Sequence, residues 1–129
     1  MNKQYNDVKE FHKAFNHPYS EDIKLLPRDR VLKRQEWMIE EIDEFKDSFT
    51  TSDQLDAMID LIYFALGTLV EMGVKDVDKY FDIVHNCNMV KLFEDGKPRY
   101  NKDNKVIKPK GWVAPDKKIR EELFKDILK

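Results

Sequence analysis

The sequence predicts an all-α fold: a helical bundle completed by oligomerisation, with a small β-hairpin or extended segment near the C-terminus. Its 129 residues suit one domain, 1–129, with a core at 28–93 and a basic C-terminal extension at 94–129. Hydrophobic residues make up 41% and charged residues 37%, with only four glycines, which is typical of helical proteins. Apolar residues recur at helical spacing through most of the chain.

Composition also bears on location and partners. No apolar run reaches the roughly 18 residues of a membrane span, and the N-terminus is polar, so we expect a cytoplasmic protein without a membrane partner. A single cysteine and three histidines argue against a disulfide and a zinc site.

The charge is distributed unevenly. Residues 1–90 carry 11 Lys and Arg against 18 Asp and Glu, whereas residues 91–129 carry 12 against 7. This pattern suits metal ions and lysines on opposite sides of an anionic ligand, and equally a basic tail attracted to its own acidic body. The lysines form no dense cluster, so we expect no nucleic-acid partner.

The first two helices are predicted from spacing. Val8, Phe11 and Phe15 indicate a short helix that stops before Pro18, and a second helix is predicted from about Arg28 to Phe49. Its predicted core stripe is Val31, Leu32, Met38, Ile39, Ile42, Phe45 and Phe49. Trp37, Glu40, Glu41 and Glu44 border that stripe, where solvated glutamates are less usual.

The central helix is predicted from Gln54 to Gly73. From Ala57 to Val70 Asp60 is the only charge, and apolar side chains surround the helix. We expect neighbours on most sides, and therefore a homodimer or homotetramer. Thr51 and Gln54 predict a capping box, and Gly73 a C-terminal cap.

Five carboxylates should meet between these two helices. A short loop implies an antiparallel hairpin, which can bring the glutamates at 40, 41 and 44 against Asp56 and Asp60. Such a cluster requires either protonated carboxyls or divalent cations between them. Cations are the more economical explanation.

A fourth helix is predicted from Val77 to Phe93, capped by Asp76. Its stripe includes Val77, Phe81 and Val84 and is interrupted by Asn88 and Lys91. Either Asn88 caps a backbone and Lys91 extends to solvent, or both line a ligand pocket.

The C-terminal extension is predicted to form a hairpin and a final helix. The hairpin pairs residues 97–100 with 105–108. The helix follows Pro115-Asp116, with Ile119, Leu123, Ile127 and Leu128 inside.

Two groups of motifs resemble a known superfamily. The segment Glu40 to Glu44 (EEIDE), then Asp56 to Tyr63 (DAMIDLIY) and Gly67-Thr68, resembles the all-α nucleoside triphosphate pyrophosphohydrolases. This superfamily includes MazG, dimeric dUTPases and phosphoribosyl-ATP pyrophosphatase. Residues 84–91 (VHNCNMVK) and 108–116 (KPKGWVAPD) further resemble small, single-domain bacterial and phage members, and the likeness covers roughly residues 28–116.

The resemblance implies a Mg²⁺-dependent hydrolase, with Mn²⁺ an alternative, that splits a nucleoside triphosphate between its α and β phosphates. The role would be nucleotide house-cleaning or pool control. By position, the implied metal ligands are Glu41, Glu44 and Asp60, and Glu40 orients or deprotonates the attacking water. The implied substrate contacts are Asn88 and Lys91, with Lys108, Lys110 and Trp112 as phosphate and base contacts.

One position departs from the superfamily pattern. Ala57 stands where many members have an acidic residue three before the position of Asp60, and Asp56 is the candidate substitute ligand. The alternative function is therefore a non-catalytic nucleotide-binding or structural helical module with a degraded metal site.

Overall fold

The computed structural model describes residues 1–129 and confirms the all-α class. Its five helices are α1 (Asn2–Ala14), α2 (Arg28–Lys46), α3 (Thr51–Met72), α4 (Val77–Met89) and α5 (Asp116–Ile127). The chain divides into two compact units, Met1–Val77 and Asp78–Lys129. No single helix has the length and hydropathy of a membrane span, although the bent pair α3 and α4 meets those limits jointly.

The first unit is built on contacts of α3 with α1 and with α2. Its apolar core joins Tyr5 and Val8 of α1 to Leu66 and Val70 of α3, with Val77 beside them. Burial of these side chains removes most of their apolar surface from water, each stabilising the fold by about 1.5–3 kcal/mol.

The predicted apolar stripe of α2 is mostly wrong for the single chain. The exposed fractions are 36% for Val31, 48% for Leu32, 45% for Ile39, 49% for Ile42, 40% for Phe45 and 94% for Phe49. The only fully buried residue of α2 is Arg34. Helical spacing identified an apolar face but not its partner, and α1 packs mainly on α3 rather than on this face of α2.

The ends of α2 and α4 lie earlier than predicted. Helix α2 ends at Lys46 rather than Phe49, where the Ser48 hydroxyl donates to the Glu44 carbonyl at 2.6 Å. Helix α4 ends at Met89 rather than Phe93, because the Lys91 and Leu92 amides bond the carbonyls three residues back, those of Asn88 and Met89, instead of continuing the α-helical pattern. In both cases local hydrogen bonds compete with the helical ladder.

The N-terminal cap of α3 also differs from the prediction. Thr50, not Thr51, is the cap: its backbone is extended, and its side-chain oxygen accepts a hydrogen bond from the Asp53 amide at 3.1 Å. The predicted C-terminal cap is confirmed, since Gly73 is left-handed with φ of 73°. A Cβ on Gly73 would lie 2.2 Å from the Asp22 carbonyl oxygen, so the loop before α2 packs closely against this cap.

The predicted hairpin does not form strands. Only an isolated antiparallel bridge joins Tyr100 to Val106. Between them Asn101 accepts the amides of Asp103 and Lys105 at 2.9 and 3.0 Å, which closes a turn. The next bonded pair in this register would join Lys97 to Pro109, and Pro109 lacks the amide hydrogen that a longer ladder would need.

In the second unit, polar contacts join α4 to α5. Lys79 and Tyr80 both donate to the Asp126 carboxylate at 2.7 Å. The predicted inner residues are not all inside: Phe81 is 59% exposed, Ile127 58% and Leu128 70%. Ion pairing, rather than apolar packing alone, therefore joins these helices.

Candidate metal centre

Three carboxylates meet between α2 and α3, as the hairpin prediction required. One side-chain oxygen from each of Glu41, Glu44 and Asp60 lies within 4.8 Å of the other two. Glu41 and Glu44 are one turn apart on α2, and the antiparallel pairing brings the first half of α3 alongside them. We refer to these three residues as the carboxylate triad.

The triad is electrostatically unfavourable as three free anions. The pKa of Glu41 is raised to about 7. The causes, largest first, are burial, a hydrogen bond from protonated Glu41 to Glu44, and the charges of Glu44, Asp60 and Asp56. Burial and the charges of Asp56 and Glu44 also raise the pKa of Asp60. Glu41 Oε2 is buried without a hydrogen-bond donor.

These properties fit a divalent cation. Hard cations such as Mg²⁺ prefer oxygen ligands, and a positive ion among the three carboxylates would relieve their repulsion and satisfy the buried Glu41 oxygen. Three converging carboxylate oxygens are therefore a ligand set suited to a divalent metal.

The other two predicted carboxylates lie beside the triad, not in it. Glu40 and Asp56 are exposed and line an open cavity of about 530 Å³. The remaining carboxylates of this acidic cavity are Asp43, Glu44, Asp47 and Asp53. Sequence reasoning missed Asp43, Asp47 and Asp53, although 40, 43, 44 and 47 follow one helix face. Ala57 is only 2% exposed, so it is part of the packing and offers no ligand.

A second cavity of the first unit is mainly aromatic and measures about 320 Å³. Phe11, Trp37, Tyr63 and Phe64 form its walls, with the polar residues His12, His17 and Arg34. The rings of Trp37 and Phe64 stack at 6.0 Å between centroids. Trp37 is one turn before Glu41 and Phe64 one turn after Asp60, so this aromatic cavity adjoins the triad.

A buried ion-pair network supports the aromatic cavity. Glu71, 2% exposed, accepts two hydrogen bonds from Arg30 at 2.8 and 3.0 Å and one from Arg34 Nε. Burial favours neutral Glu71, but the two arginines outweigh it and lower its pKa. The guanidinium carbons of Arg30 and Arg34 lie 5.5 and 5.1 Å from the Trp37 ring centroid.

Sequence reasoning did not find this network. The available signal was an arginine pair four residues apart at the start of α2, opposite Glu71 at the end of the antiparallel α3. It was missed because Glu71 ends an otherwise apolar helix and looks like an ordinary exposed charge.

The remaining predicted residues lie in the second unit. Lys91 Nζ and Lys108 Nζ are 5.1 and 4.8 Å from the Trp112 ring centroid, and the indole donates to the Cys87 carbonyl at 2.8 Å. Lys110 and Trp112 line a cavity of about 720 Å³, and Asn88 is exposed. The structure thus brings Lys91, Lys108 and Trp112 together, while their substrate contacts stay a prediction.

A helical fold with a carboxylate triad between α2 and α3 is the arrangement that the resemblance to all-α pyrophosphohydrolases implied. Residues 8–88 match the sequence model of the phosphoribosyl-ATP pyrophosphohydrolase family, and the chain belongs to that family. The match includes the second half of α1 and both triad helices and ends at Asn88, before Lys91, Lys108, Lys110 and Trp112.

A solved structure supports the same class. The chain is similar to the putative NTP pyrophosphohydrolase from Exiguobacterium sp. 255-15, with 29% identity and a TM-score of 0.55. The likeness covers 97% of this chain and 96% of the other. No protein with a curated functional description matches significantly. The family and this relative indicate a pyrophosphohydrolase-type hydrolase with a nucleotide substrate.

Proposed function

We propose that the protein is a Mg²⁺-dependent nucleoside triphosphate pyrophosphohydrolase that converts (d)NTP to (d)NMP and pyrophosphate. Its role would be nucleotide house-cleaning or pool control. The observation that carries the proposal is the carboxylate triad of Glu41, Glu44 and Asp60, whose oxygens converge within 4.8 Å between two helices.

In this proposal the triad holds the cation, with Asp56 as an additional ligand in place of an acidic residue at Ala57. Bound Mg²⁺, or Mn²⁺, would neutralise the triphosphate and lower the pKa of an attacking water. Glu40, which lines the acidic cavity, would accept a proton from the attacking water. The water oxygen bonds to the α phosphorus, the α–β bridging bond breaks, and its electron pair leaves with pyrophosphate.

The substrate's other groups have two candidate sites. The aromatic cavity, one helical turn from the triad, offers stacking surfaces for a base. In the second unit, Lys91 and Lys108 beside Trp112, together with Lys110, are candidate phosphate and base contacts. Asn88 can both donate and accept, so it could contact a base edge or a sugar hydroxyl.

We also propose that the protein is a homodimer, or a homotetramer built from such dimers. Exposed apolar side chains on α2 and α3 support this, since contiguous apolar surface is characteristic of association sites. The residues concerned include Leu32, Ile39, Ile42, Leu55, Ile59 and Ile62.

The decisive experiment is a pyrophosphate-release screen over canonical and modified (d)NTPs with Mg²⁺ and with Mn²⁺. Asp60→Asn should abolish release while circular dichroism retains the helical signal, because it removes a charge that holds the cation. Near-normal turnover by Asp60→Asn would contradict the metal assignment.

The same screen tests the alternative of a non-catalytic nucleotide-binding or structural module, which Ala57 favours. A binding module would be stabilised by nucleotide and release no pyrophosphate. Lys91→Ala and Asn88→Ala distinguish a role in contacting the substrate from a purely structural role. We expect the first to weaken binding or turnover, and the second to change base or sugar preference. Unchanged nucleotide titrations with lowered thermal stability would make both residues structural.

A further inference from the structure

The buried guanidinium of Arg34 has an unused hydrogen-bonding group. Arg34 is 3% exposed, and burial of a charge is costly unless its donors are satisfied. Its Nε donates to Glu71 and its Nη2 donates to His12 Nε2 at 3.3 Å. Its Nη1 makes no hydrogen bond, and Arg34 lines the aromatic cavity.

The backbone of α3 makes room for this side chain. A Cβ on Gly67 would lie 2.9 Å from both Arg34 Nη1 and His12 Nε2. Glycine therefore allows the guanidinium to lie against α3, where it contacts Glu71, His12 and the Trp37 ring. Such a fixed planar donor is suited to reading one acceptor at a defined position.

His12 cannot take the same role, because both of its ring nitrogens are used. Nδ1–H donates to the Pro18 carbonyl at 2.6 Å, so Nε2 is the acceptor that faces Arg34. Burial lowers the pKa of His12, consistent with this neutral form. Among the cavity's other side chains that carry a donor, His17 is exposed, Tyr63 is 39% exposed and Trp37 is partly exposed, which leaves Arg34 as the deeply buried donor.

The charge of the network favours an acceptor in the cavity. Two arginines share the one carboxylate of Glu71, and His12 is neutral, so the group carries one excess positive charge. A ring carbonyl oxygen would pair with Nη1–H, whereas an amino group would place donor against donor.

We propose that Arg34 is a specificity-determining residue that donates from Nη1 to a ring carbonyl of the substrate's base, so that the preferred substrates are nucleotides with oxo-bearing bases. This inference rests on the proposed function. A site built to hydrogen-bond one substrate group discriminates strongly against analogues that lack it, because the buried donor is then left unpaired.

The test compares nucleotide pairs that differ at the 6-oxo position of the purine. One pair is inosine and purine riboside triphosphate; the other is guanosine and 2-aminopurine riboside triphosphate. For the wild-type protein we expect the oxo member of each pair to have a kcat/KM at least about tenfold higher. Calorimetry with their α,β-methylene analogues should show the same order of affinity.

Arg34→Lys and Arg30→Lys are the matched variants. Both arginines bond Glu71 and lie over Trp37, but only Arg34 lines the aromatic cavity. We expect Arg34→Lys to reduce the preference to about twofold or less, since lysine keeps the charge but loses the planar fork. Arg30→Lys should keep the preference, even where it lowers the melting temperature.

Three results would overturn the assignment: equal kcat/KM for the wild type within both pairs, an unchanged preference in Arg34→Lys, or an equal loss in both variants. The wild-type comparison decides the question even where Arg34→Lys does not fold. A protein that neither hydrolyses nor binds any nucleotide would instead overturn the proposed function, which separates the two failures.

Discussion

At the scale of single residues, Glu41 couples protonation to metal binding. It is half-buried, one of its oxygens has no donor, and two other carboxylates of the triad lie beside it. A proton and a divalent cation both relieve the same repulsion, so they should compete for the triad.

This competition predicts a pH dependence of stability. Burial and the neighbouring carboxylates raise the pKa of Glu41 from 4.5 to about 7, so the folded state binds its proton more tightly than the unfolded chain does. Without metal, the stabilisation is full below pH 4.5 and is lost as pH rises through about 7. We expect a loss on the order of 1–2 kcal/mol after allowance for solvent screening, measured by urea unfolding.

Added Mg²⁺ should therefore raise the melting temperature more at pH 8 than at pH 6. Glu41→Gln should remove most of this difference, because it removes the titrating group. Glu36→Gln is the matched control on the same helix, since Glu36 pairs with Lys33 at 3.4 Å and lies outside the triad. A Mg²⁺ effect that is equal at both pH values would contradict the competition.

At the scale of the helix, the start of α3 shows why the N-terminal cap lies one residue before the predicted position. Two adjacent threonines can each cap a helix, and only the backbone conformation decides between them. Thr50 has the extended backbone of a cap, while Thr51 is already the first helical residue.

Thr50→Ala should destabilise the first unit by about 1 kcal/mol, because the Asp53 amide loses its acceptor. Thr51→Ala is the matched control and should change the free energy of unfolding by less than about 0.5 kcal/mol. Urea unfolding followed by circular dichroism would measure both. A larger loss in Thr51→Ala would restore the capping box that the sequence predicts.

The other end of α3 gives a prediction about close approach. Gly73 and Gly96 have nearly equal φ values, 73° and 75°, but a Cβ on Gly73 would meet the Asp22 backbone while a Cβ on Gly96 would meet nothing within 4 Å. Gly96→Ala should cost about 1–2 kcal/mol from the left-handed conformation alone.

Gly73→Ala should cost at least about 2 kcal/mol more, since a backbone carbonyl cannot move aside as a flexible side chain can. Thermal and urea unfolding of the two variants provide the comparison. Equal losses in the free energy of unfolding would mean that the loop at Asp22 moves aside at little cost.

At the scale of the whole molecule, the exposed apolar face of α2 and α3 predicts association. Ile59 on α3 is 53% exposed, so a charge at this position would lie in the proposed dimer interface. Ile59→Lys should shift the protein from a dimer to a 15.4 kDa monomer in light scattering at micromolar concentration.

Ile127→Lys is the control, since Ile127 is similarly exposed at 58% but lies on α5 in the second unit. It should leave the dimer intact. A wild-type protein that scatters as a monomer would contradict the association.

The sequence predicted the structural features that depend on residues close together in the chain. The helices, the Gly73 cap and the meeting of Glu41, Glu44 and Asp60 follow from helical spacing and a short loop, which act over a few residues. The predicted strands around Tyr100 and Val106 did not form: the turn between them is present, but Pro109 cannot donate the next hydrogen bond of the ladder.

Tertiary structure alone decided the rest. Burial of Arg34 and Glu71, the aromatic cavity between Trp37 and Phe64, and exposure of the α2 stripe depend on which surfaces meet. A helical pattern shows that a face is apolar, and a charge pattern shows that partners are needed. Neither pattern identifies the partner, because residues that contact each other can be far apart in the sequence. Arg34 and Arg30, for example, bond Glu71 from 37 and 41 positions away.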